Sequence, residues 1–162
     1  MMKKISIALF AVTALSLGTA ACGGSSETTD TTVAAAVEAA TYTVDSAWAR
    51  TSPMEATMGA IYLNVTSTMD DALVGASVST DIAAMTQVHE TLMNADGTMG
   101  MQEIASIPMI ANTPLALAPG GYHIMLLELV KPLVVGETVT VTLTFASGET
   151  TTVDAVVSEE AP

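Results

Sequence analysis

From Thr41 onward the chain alternates short apolar runs with turn residues, and no segment keeps a helical period beyond a few positions. Nine runs have the two-residue period or the β-branched content of strands: 41–50, 59–67, 72–79, 85–93, 99–105, 115–118, 123–129, 137–146 and 151–158. NADG at 94–97, Pro119-Gly120-Gly121, KPL at 131–133 and SGE at 147–149 punctuate them. Short strands this closely spaced predict an all-β, antiparallel Greek-key β-sandwich or barrel, not a parallel α/β arrangement. Asp81 to Ala84 has room for one helical turn at most, and residues 159–162 read as an acidic, frayed tail.

Strand alternation sorts side chains by face. In VHETLM, Val88, Glu90 and Leu92 share one side, leaving His89, Thr91 and Met93 on the other. His123 and Met125 are two apart and project together, their α-carbons about 7 Å apart in an extended strand. Met99 and Met101 are in phase in the same way, separated only by Gly100. A turn at NADG folds the His89 strand back on the Met101 strand, within cross-strand reach.

Composition refines the core. Aromatics make up only 4% of residues, and there are eleven methionines, which predicts a core of branched aliphatics filled in with sulfur. Met54, Met58, Met69, Met85, Met93 and Met109 are accordingly read as packing or surface residues.

The first residues carry an address. Lys3 and Lys4 precede an apolar stretch from Ile5 to Leu17 and small residues at 18–21, the pattern of an export signal and too short for an ordinary membrane span. Cys22 follows Ala21, where a bacterial lipoprotein carries its acylated thiol; the alternative is a plainly secreted protein cut nearby. One cysteine makes no internal disulfide. Residues 22–41, rich in Gly, Ser, Thr, Ala and acid, read as a flexible tether, leaving 42–158 as one domain. With Cys22 lipidated, the tether would hold that domain at the outer face of the cytoplasmic membrane. The formal net charge is −13, and removal of Lys3 and Lys4 leaves Arg50 and Lys131 as the only basic residues. Nucleic acid is excluded as a partner for such a surface.

The two histidines of the chain supply its chemistry. His89, Met101, His123 and Met125 follow one another with eleven, twenty-one and one residue between them. Imidazole nitrogen with thioether sulfur is a soft, neutral set suited to Cu(I). Zinc sites recruit three or four His, Cys or carboxylate ligands, calcium wants a carboxylate-rich loop, and a blue-copper site needs a thiolate that the domain lacks.

HETLM through MGMQEI, APGGYHIML at 118–126 and LVKPLVVGETVTVTLTFASGE at 129–149 resemble the PCu(A)C family of periplasmic copper chaperones, over roughly residues 43–157. The resemblance implies a cupredoxin-like β-sandwich with copper ligands at His89, Met101, His123 and Met125. The first spacing is one residue longer than the family's usual one, and strand alternation leaves Met99 as a substitute for Met101. The implied activity is carriage of Cu(I) outside the cytoplasm and delivery to the copper centres of a haem-copper cytochrome c oxidase, directly or through a second copper chaperone. No group beside the ligands is a plausible nucleophile or base, so the expectation is a carrier and not an enzyme. Copper sequestration for resistance and a metal-free sandwich binding module are the competing readings.

Overall fold

The computed structural model describes residues 39–162; the stretch read as an export signal, Cys22 and nearly all of the stretch read as a tether lie outside the described residues. Ten strands follow in order: β1 (Tyr42–Arg50), β2 (Met58–Ser67), β3 (Asp71–Val78), β4 (Ala83–Met93), β5 (Met99–Glu103), β6 (Ile107–Met109), β7 (Leu115–Leu117), β8 (Tyr122–Leu129), β9 (Thr138–Phe145) and β10 (Thr150–Ser158). They form one continuous sheet ordered β5-β4-β8-β7-β2-β1-β10-β9-β3-β6, with β8 also pairing directly with β2. The pairings are antiparallel except β1 with β10 and β7 with β8. The sheet folds over on itself, and a single buried cluster draws Ile61, Leu73, Val88, Ile124, Val141 and Val157 from both halves.

Sequence alternation produces this architecture directly. In β9, Val139, Val141, Leu143 and Phe145 point into the core while the intervening threonines face outward. Burying each such side chain is worth about 1.5–3 kcal/mol. Turns fall at the glycine signals, with Gly97 and Gly120 in the positive-φ region that other residues rarely occupy.

Two expectations change. The strand at Ile107–Met109 is absent from the sequence reading because Pro108 argues against a ladder; β6 lies at the end of the sheet, the edge position where proline is tolerated. Between β3 and β4 the chain reverses in a single turn, Ile82 N–H and Ala83 N–H donating to the Ser79 carbonyl at 2.9 and 3.3 Å, within the one turn that the sequence allows. Apart from Met109, the methionines are not core filler. From Met54 to Met125, only Met109 and Met125 are buried, and Met54, Met58, Met69, Met85, Met93, Met99 and Met101 are exposed. The core is nearly all branched aliphatic, because the strand period puts most of the sulfur on the other face.

β8 departs from simple alternation. Ile124 and Leu126 enter the core, yet His123 and Met125 on the opposite face are buried as well. A second layer therefore covers the outside of the sheet at this strand.

Candidate functional site

The ladders that hold β5, β4, β8 and β2 together fix which side chains meet. His89 stands directly across from His123, and Gln87 across from Met125. On the other side of β4, Thr91 pairs with Met101 and Met93 with Met99. Across β8, Ala60 pairs with Met125 and Met58 with Leu127. Residues paired across a ladder share a face, so His89, Met101, His123 and Met125 all project from the outer face, away from the core side chains Val88 and Ile124. Met99 shares that face but lies one step further from His89 than Met101 does.

The β4–β5 hairpin sets the phase of Met101. Asn94 N–H donates to the Thr98 carbonyl at 2.8 Å and Gly97 N–H to the Asn94 carbonyl at 3.0 Å. Ala95, Asp96 and Gly97 thus form a three-residue loop with glycine at the positive-φ position, a common hairpin connection. The ladder from Met93 to His89 has no bulge, which keeps Met101 on the histidine face.

Hydrogen bonding defines the histidine lone pairs. The His123 Nδ1–H donates to the Gly121 carbonyl at 3.2 Å, since a carbonyl can only accept. This leaves Nε2 as the free lone pair, and it is buried with no partner. For His89 a longer chain gives the answer. Gln87 Nε2 donates to Glu103 at 2.9 Å, so its Oε1 faces His89 Nε2 at 3.0 Å and accepts that proton. The free lone pair of His89 is then Nδ1, also buried and unpartnered. The two rings lie 5.8 Å apart between centroids, tilted by 53°. Burial, followed by the charge of His123, lowers the His89 pKa from its ordinary 6.5, against a smaller upward pull from Glu103. The shift favours the neutral form that metal coordination requires.

Beside the His123 ring is a cavity of about 320 Å³, lined by Met101, His123, Met125, Tyr62, Thr91 and Met58 among others, with His89 set behind its wall on the neighbouring strand. Arg50 to Pro53 and Pro119-Gly120 also line it, and these segments supply the second layer over β8. The Tyr62 ring lies 6.3 Å from His123, and Trp48 backs Tyr62 at 4.7 Å. A one-residue shift in β1, with Ser46 at φ 51°, turns Trp48 to face Tyr62. His123 is 4% exposed and Met125 9%, while Met101 is 60% exposed. The arrangement is a buried half and an open half: nitrogen and sulfur anchored under a roof, with a flexible thioether at the mouth. Among the described residues no group of three or more His, Cys, Asp or Glu gathers, so the donors on offer are imidazole and thioether.

The four motif residues and Met99 were all read from the sequence. Gln87, Glu103, Tyr62 and Trp48 were missed. Gln87 is two residues before His89, and alternation alone could have placed it on the same face; the others depend on register and on the β1 bulge.

Solved structures similar to this fold include PCuAC domains. The apo PCuAC domain from PmoF1 is 24% identical with a TM-score of 0.60, covering 75% of this chain and 94% of that one; at that identity the likeness concerns the fold. The copper-bound PCuAC domain from PmoF2 is 27% identical with a TM-score of 0.57, covering 75% and 93%. Cu(I)-DR1885 from Deinococcus radiodurans is 31% identical with a TM-score of 0.55, covering 70% and 76%. Fold and site together define a cupredoxin-like β domain of the PCuAC class, as the sequence motifs led one to expect. The family model described as "Putative lipoprotein LpqE-like" matches residues 42–157, and the chain belongs to this LpqE-like family. It is also 38% identical over 99 residues to "Putative lipoprotein Lxx21020" of Leifsonia xyli subsp. xyli, a match over 59% of this chain and 58% of that relative's length.

Proposed function

We propose that this protein is an extracytoplasmic Cu(I) metallochaperone whose cargo is held by His89 Nδ1, His123 Nε2 and the sulfurs of Met101 and Met125. The observation that carries the reading is the pair of buried, unpartnered imidazole lone pairs on adjacent strands, with His123 lining a cavity that Met58, Met101 and Met125 also line. An unsatisfied buried polar atom is destabilising, and a soft cation would relieve both at once. The donor set is neutral and free of thiolate, so it favours Cu(I) over harder ions. It also binds without the near-irreversibility of a thiolate cage. Copper in PmoF2 and DR1885 relatives supports the same choice.

The two halves of the site have different tasks. His123 and Met125 are buried and fix the ion. Met101, exposed on an edge hairpin, exchanges its place with a ligand of the acceptor, so that copper leaves without the sandwich opening. None of these groups is a nucleophile or base aimed at a second substrate, and the role is carriage, not catalysis. The acceptor in this reading is the copper centre of a haem-copper cytochrome c oxidase, reached directly or through a second copper chaperone. The lipoprotein names of its family and relative support export and anchoring through a lipidated Cys22.

Two measurements test the proposal. Competition with a Cu(I) chelator should show one tightly held ion per chain; failure to retain any copper would leave only a metal-free module. Loaded protein mixed with the apo copper-site domain of an oxidase should surrender its ion, and retention of the ion would point to sequestration instead of delivery.

A further inference from the structure

Methionine is normally buried about as often as the other large apolar residues, so its distribution here needs a cause. On β2, β4, β5 and β8 every methionine falls on the histidine face: Met58, Met85, Met93, Met99, Met101 and Met125. The exposed valines and isoleucines lie elsewhere, on β3, β10 and the connections. Three of these thioethers are contiguous. Met93 and Met99 are directly paired across the hairpin ladder, and Met101 lies two residues from Met99 on the same side.

The ladder makes that pairing close. Ile104 N–H donates to the Val88 carbonyl and Asn94 N–H to the Thr98 carbonyl, which marks 88/104 and 94/98 as hydrogen-bonded pairs. By alternation, Met93/Met99 is a non-hydrogen-bonded pair, the kind in which side chains approach most nearly. Their Cβ atoms are therefore about 4.5–5.5 Å apart, and two flexible thioethers on such a base can converge on one ion. Exposures of 73% for Met93, 59% for Met99 and 60% for Met101 leave all three side chains largely open to solvent.

We propose that Met93 and Met99, with Met101, form an outer, all-thioether acceptor site for Cu(I) that passes the ion to the inner site. Met101 is shared: its strand position places it between the outer pair and the cavity. Transfer exchanges one Cu–S bond at the outer pair for a Cu–N bond at His89 or His123. Copper stays monovalent, the ligands stay neutral, and no electron or proton moves. The outer site offers no nitrogen and no burial, so it binds more weakly and in faster exchange than the inner one, as a loading platform requires. This inference rests on the Cu(I) reading of the inner site.

The test uses the full chain with ¹³C-labelled methionine methyls, titrated anaerobically with Cu(I). The first equivalent should shift Met101 and Met125, and excess Cu(I) should then shift Met93 and Met99 while Met54 and Met69 stay fixed. In the His89→Ala/His123→Ala variant, Met93 and Met99 should respond from the first addition. Static Met93 and Met99 signals in both proteins overturn the outer site, and so does equal movement of Met54 and Met69. If Met93 and Met99 respond while Met125 does not, the inner reading fails and the outer site stands. In Met93→Leu/Met99→Leu, stopped-flow loading should slow severalfold and the second phase should vanish. Loading at the original rate would again overturn the proposal.

Discussion

At the scale of single residues, the site depends on which nitrogen of each imidazole is free. His123→Ala and Met125→Ala should each weaken Cu(I) binding far more than Met69→Ala or Met109→Ala, as read by chelator competition; equal losses would contradict the assignment. Gln87→Leu removes the acceptor that holds the His89 proton on Nε2, and outer-shell partners of this kind typically contribute about 10–100-fold in metal affinity. The expected result is a loss in that range together with a changed ¹⁵N tautomer signature for His89. An unaltered tautomer in the leucine variant would show that Gln87 does not set it. The lowered pKa of His89 has a stability consequence of defined sign. Between its native value and the ordinary 6.5 of the unfolded chain, the unfolded state binds the extra proton. Apo stability should therefore be full above that ordinary value and fall as pH drops through the window below it. Thermal melts of the metal-free protein across this range should show the decline, and His89→Ala should flatten it. The proposed ligand residues were legible as types at in-phase spacings. The Gln87–Glu103 relay was not, because it forms only when β4 and β5 adopt one particular register.

At the scale of elements, alternation predicted nine strands and the edge strand at Pro108 escaped it. The same rule that places Val88 in the core places His89 outside, so the ligand face follows from the core pattern. What no local pattern announces is the roof over His123. It is pinned by Leu133, itself fully buried, whose N–H donates to Ser52 Oγ at 2.8 Å. Its carbonyl takes protons from Ser52 N–H at 3.1 Å and Thr51 Oγ1 at 3.0 Å. Leu133→Ala should destabilise the domain by about 2–5 kcal/mol in denaturant unfolding, the range for emptying a buried leucine site. A change under half a kcal/mol, on the order of a surface substitution, would mean that this segment packs less tightly than its burial implies.

At the scale of the whole molecule, the sheet assigns its faces to different work, aliphatic packing inside and sulfur and imidazole outside. The methionine count invited a reading of core filler, and composition alone could not separate the faces; register does. Because the site belongs to the folded state, Cu(I) should raise the melting temperature. A ligand at a thousandfold excess over its dissociation constant adds about 4.1 kcal/mol, and an unchanged melting curve at saturation would speak against a site built by folding. The most direct check is X-ray absorption at the copper edge of the Cu(I)-loaded full chain. A mixed shell of imidazole nitrogen and thioether sulfur is expected, with the nitrogen part lost in His89→Ala/His123→Ala and the sulfur part diminished in Met125→Ala. A shell that lacks sulfur, or one that is the same in all three proteins, would contradict it.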